Sequence, residues 1–144
     1  MENKELLEYI YKIVDMGSNS CIKLLKDLKG KDNKIIDVIE DIKKEYLSFE
    51  TDIKKLVKKE KIELDINNFM AKMGSSMEMK MEVMMDNSDS KIADMLIRGT
   101  TMGVIETEKY IKKFEDKADK KILELARDLL EFQNNSVEKL KEYL

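Results

Sequence analysis

Residues 92–114 read IADMLIRGTTMGVIETEKYIKKF. Alternating steps of three and four from Ala93 pass through Leu96, Thr100, Gly103, Thr107, Tyr110 and Phe114. That spacing is one stripe of a helix, small in its middle and large at its lower end. Gly99 and Gly103 lie one turn apart in it. A glycine inside a helix costs roughly 0.5–1 kcal/mol against alanine, so the pair predicts another element packing close to this point.

The same pattern recurs on both sides. Upstream, Leu7, Ile10, Val14, Gly17, Cys21, Leu24 and Leu28 form an unbroken seam in a first predicted helix, residues 4–29. Gly30 follows it and suits a C-terminal cap. A second helix, 33–61, carries Ile35, Ile39, Ile42, Tyr46, Phe49, Ile53 and Leu56. The connection is short, so the two helices must run antiparallel. The opening stretch belongs to a third helix, 91–115, preceded by an N-cap at Ser88 or Ser90. A fourth, 118–144, carries Ile122, Ala126, Leu129, Gln133, Ser136, Leu140 and Tyr143. Between the hairpins, 62–90 is read as a methionine-rich helical crossover, broken near Gly74-Ser75-Ser76. The prediction is an all-α fold: one domain, a four-helix up-and-down-type bundle of two helical hairpins joined by a long crossover.

The two hairpins overlay. Met16-Gly17 falls on Met102-Gly103, Leu24 on Tyr110 and Leu28 on Phe114. With one extra residue in the second turn, Ile35 falls on Ile122, Ile42 on Leu129 and Ile53 on Leu140. Gly17 and Gly103 are then expected to be equivalent close-packing points. The match is one of pattern, with few identities.

Composition agrees with this. The chain has 144 residues, 40% charged and 42% hydrophobic, with no proline. That balance belongs to long helices rather than to sheet or disorder. The net charge is -3 with the signs interleaved, which predicts neither nucleic acid nor an anionic membrane as partner. The basic run KKLVKKEK, 54–61, reads as a solvated helix face with Leu56 and Val57 turned inward; a phosphate-binding patch is the alternative. A single cysteine, Cys21, and the lack of an apolar leader or span lead us to expect a reducing, cytoplasmic setting. Cys21 lies on a seam and no histidine exists to act as its base, so it reads as a small core hydrophobe. The excess of lysine over arginine, with many Ile and Asn, suggests an AT-rich bacterial genome.

A hairpin, a long crossover and a second hairpin resemble the ferritin-like superfamily. The resemblance covers all four helices in layout and is weak in motif. Di-iron members carry an inward glutamate on the first and third helices and Glu-x-x-His on the second and fourth. Here the matching positions are Cys21 and Thr107, then Tyr46 with Phe49 and Gln133 with Ser136. Without a histidine the standard site cannot be built, so the resemblance implies a metal-free member with no cofactor. The Met-Gly pair, the hairpin and the LxxYL-like end at Leu140–Leu144 are also similar to small bacterial proteins of this group, spore-coat-associated ones among them.

Three groups of residues are candidates for chemistry. Nine of the eleven methionines fall between Met70 and Met102. Met77, Met81 and Met84 can share a helical face, and thioethers suit Cu(I). The alternative is an adaptable apolar face that packs on the bundle or on a partner. Glu106 and Glu108 flank Thr107, and Glu131 lies on the fourth helix. These three could act as ligands, or be solvated or paired with lysine, as Glu45 and Glu50 could. Thr100, Thr107, Gln133 and Ser136 could line a small polar pocket, or satisfy one another inside the seam. No Walker, Rossmann, zinc or triad spacing occurs. The expectation is therefore a non-enzymatic structural or interaction bundle, with a protein partner or homo-oligomer formed through helix faces. A metal protein using carboxylates and methionines is the alternative.

Overall fold

The computed structural model describes residues 2–64 and 87–144. The described residues form four helices and no strand. They are α1 (Glu2–Asp27), α2 (Ile36–Glu60), α3 (Asp89–Phe114) and α4 (Lys120–Lys141). Most of the predicted crossover, with Met70, Met73, Met77, Met81 and Met84, lies outside the described residues.

The helices pair closely as α1 with α2 and α3 with α4, the two hairpins the seam patterns predict. Across the hairpins α1 touches α3 and α4, and α2 touches α4. Lys113 on α3 reaches Glu5 on α1 at 3.5 Å, and Asp89 at the start of α3 meets the α1–α2 turn. Helices α1 and α3 are therefore antiparallel. The backbone N–H of Asp119, just before α4, donates to Asn3 Oδ1 at 2.7 Å, so α1 and α4 run the same way. The directions are up, down, down, up. Leu64 and Asn87 thus lie at opposite ends of the bundle, as one long crossover requires.

The seams make the core. All seven positions of the α2 seam are buried except Leu56, which is half-buried and packs on the core. On α1 only the seam's Gly17 is less than fully buried. Rings hold the hairpins together: Tyr46 meets Phe132 edge-on at 4.9 Å, and Phe49 lies 5.5 Å from the same ring.

Local signals end the helices. Gly30 adopts the left-handed conformation, φ 82°, beyond the end of α1. Ser88 caps α3, its hydroxyl accepting from the Lys91 N–H at 3.4 Å. Helix α2 is different, because its N-cap position is Ile35, which has no side-chain acceptor. The cap comes from another helix. The Asp89 carboxylate accepts from Lys34 N–H at 3.1 Å, Ile35 N–H at 3.5 Å and Asn33 Nδ2 at 2.9 Å. An anion at the free N–H groups of a helix start is also favoured by the helix dipole.

Candidate functional site

The small middle of α3 is where polar groups enter the core. Thr107 is fully buried, and its hydroxyl donates to the Gly103 carbonyl one turn earlier at 2.8 Å. Tyr9 on α1 comes to the same point. Its hydroxyl lies 2.9 Å from Thr107 Oγ1 and also reaches the Gly103 carbonyl at 3.4 Å. The Tyr9 ring stacks on Tyr110 with centroids 3.9 Å apart. Gln133 on α4 closes the layer and is 1% exposed. A Cβ built on Gly103 would stand 2.9 Å from Gln133 Nε2, so the glycine makes room for this amide.

The layer is not fully satisfied. Gln133 Oε1 is buried and has no hydrogen-bond partner among the described residues. Lys12, on the same side of α1 as Tyr9, is 4% exposed. Burial lowers its pKa, and the nearby Glu106 carboxylate opposes that shift. Burial pushes the Tyr9 hydroxyl well above the usual tyrosine range, despite its bond to Thr107. Neither hydroxyl is an activated nucleophile: one holds its proton tightly and the other is engaged with Gly103 and Tyr9.

The sequence candidates separate. Glu106 is half-buried on the α1 side of α3 and pairs with Lys109 at 3.5 Å. Glu108 and Glu131 are exposed. Among the described residues, no three His, Cys, Asp or Glu side chains gather as a ligand set. Met77, Met81 and Met84 lie outside the described residues. Thr107 and Gln133 both lie against Gly103, while Thr100 is half-buried on the stripe above it. The layer differs from the expected pocket within the second hairpin, because Tyr9 of the first hairpin completes it. Cys21 is buried, and burial pushes its thiol up to about 12.

One expectation is corrected. Gly99 was expected to mark close packing together with Gly103. A Cβ there would meet nothing within 4 Å among the described residues, because Gly99 faces away from the core. Gly17 and Gly103 do match. Gly17 sits directly under the Tyr46 ring as Gly103 sits under Gln133, and Tyr46 falls on Gln133 when the hairpins are overlaid.

Sequence reasoning missed Tyr9 and Lys12. Tyr9 belongs to a second stripe, Leu6, Tyr9 and Ile13, beside the seam it followed. That stripe was a usable signal that α1 packs on more than one neighbour. Nothing in the pattern marks Lys12 for burial.

An open groove of about 460 Å³ lies beside Tyr11, Ile53, Val57, Lys58 and Leu64. The basic run on α2 is exposed there, and Lys59 comes close enough to Lys121 of α4 for that neighbour to lower its pKa. No helix among the described residues is long and apolar enough to cross a membrane. Compared with family models, curated proteins and solved structures, the chain matches none.

Proposed function

We propose that this chain is a non-enzymatic bundle of the ferritin-like kind that works as a structural or protein-interaction module. One observation carries the reading. The buried Tyr9 and Thr107 hydroxyls are turned toward each other and the Gly103 carbonyl, while α3 turns Met102 and Ile105 outward, 58% and 50% exposed. Large apolar side chains standing together on a helix flank are the material of helix-face recognition. The parallel run of α2 and α3 supports the ferritin-like layout, because a single long connection produces it. A single cysteine in the sequence fits a reducing compartment.

The test uses the full chain and a Met102→Glu/Ile105→Lys variant, both checked for helicity by circular dichroism. Sedimentation across a concentration range is combined with retention of proteins from the native lysate. The reading expects association, with itself or with a partner, that the double variant loses. A strict monomer that retains nothing overturns it.

A further inference from the structure

We propose that α3 pairs with α3 of a second copy of this chain, antiparallel, about a two-fold axis at Met102. This rests on the reading above and names the partner. Met95, Gly99, Met102, Glu106 and Lys109 recur at steps of four and three along one flank of α3, with Arg98 and Ile105 beside them. Gly99 is the first observation. It is exposed in mid-helix and, among the described residues, nothing fills the space where a side chain would stand. A hole on the surface beside two exposed apolar knobs, Met102 and Ile105, suits a second helix.

Charge identifies that helix. Arg98 pairs with Asp94 at 3.0 Å and Lys109 with Glu106 at 3.5 Å, all on exposed or half-exposed side chains. Turn a second α3 end for end about Met102. Ile105, three residues after the axis, then lies over the partner's Gly99, three residues before it. Glu106 lies opposite the partner's Arg98, each four residues from the axis, and Lys109 comes beside the partner's Asp94. The two internal ion pairs of each copy combine into two four-charge clusters in the dimer, and Met102 meets its own copy. A parallel pairing in register would instead set Arg98 on Arg98. The flank is therefore complementary to itself in this antiparallel arrangement and not in the parallel one, as an isologous interface needs.

The test is sedimentation equilibrium of the full chain at low salt, from about 1 to 300 µM. The wild type is expected to dimerise. Arg98→Glu should raise the dissociation constant at least about fivefold, since the like-charge contact it makes with Glu106 occurs twice. Glu106→Arg should do the same, and Arg98→Glu/Glu106→Arg should return to within about twofold of the wild type. Gly99→Leu, which fills the hole without touching the core, should also weaken the dimer. A wild-type monomer throughout overturns the proposal. So does a dimer that neither single reversal weakens, or a double variant that gives no rescue. A monomer that still retains a lysate protein through Met102 and Ile105 defeats this pairing but leaves the interaction reading standing. A monomer that retains nothing defeats both.

Discussion

Gly17 lies directly beneath the ring of Tyr46, and there is no space between them for a methyl group. The equivalent pair in the second hairpin, Gly103 and Gln133, meets through the far end of a flexible side chain instead. The two glycines thus do the same job with different tolerance.

Substitution should rank them. Gly17→Ala is expected to destabilise by roughly 1–3 kcal/mol, because the Tyr46 ring is buried and packed on Phe132, so making room for a methyl group means moving the ring. Gly103→Ala should cost less, since the amide can swing aside and alanine gains helix propensity. Gly103→Leu should still cost roughly 1–3 kcal/mol through overpacking. Gly99→Ala, open on the surface, should stabilise by up to about 1 kcal/mol at concentrations where the chain is monomeric. Urea unfolding of the four variants beside the parent checks the order. Equal effects at Gly17 and Gly99 would contradict the packing described for Tyr46.

The Tyr9–Thr107 bond joins the two hairpins inside the core. Tyr9→Phe and Thr107→Val are each expected to cost about 1–2 kcal/mol, and together less than their sum. A double-mutant cycle should give a coupling of about 1 kcal/mol. Strict additivity would show that the two hydroxyls do not meet in solution.

Gln133 is the unpaired member of the layer, its Oε1 buried without a partner among the described residues. Gln133→Met keeps the length and removes the unsatisfied acceptor. It is expected to raise stability by about 1 kcal/mol or more. A less stable variant in thermal or urea unfolding would mean that the amide oxygen has a partner in solution, such as an internal water.

Alkaline pH should unfold this protein through its buried acids. The Cys21 thiol rises from an ordinary value of 9.0 to about 12 on folding, so the folded state keeps a proton that the unfolded state releases. Stability is then full below pH 9 and falls as pH rises toward 12, by about 1.4 kcal/mol per unit from this thiol alone. Tyr9 and Tyr46, both raised by burial, add to the fall above pH 10. Lys12, lowered by burial, opposes it just below 10.5, where the unfolded state binds more protons. Urea midpoints at pH 8, 9, 10 and 11 should show the decline, and Cys21→Ala should move its onset from near 9 to near 10. An unchanged onset in that variant would remove Cys21 as the cause.

What the sequence determined by itself is local and periodic. Steps of three and four placed the seams of α1, α2 and α4 where burial is found, because a residue's position around a helix follows from its number. Gly30 and Ser88 marked ends through their own backbone and hydroxyl chemistry. Even the match of Gly17 with Gly103 was legible, since it needed only a repeated pattern. What the tertiary structure alone decided involves residues far apart in the chain. Tyr9 meets Thr107 because α1 lies antiparallel to α3, and no periodicity in either helix contains that fact. Lys12 is buried by the same juxtaposition. The start of α2, poorly capped by its own Ile35, is closed by Asp89 from α3. Gly99 and Gly103, alike in sequence, face different ways. The stripe holds Gly103 and not Gly99, but only the placement of α4 decided that Gln133 fills the space over Gly103.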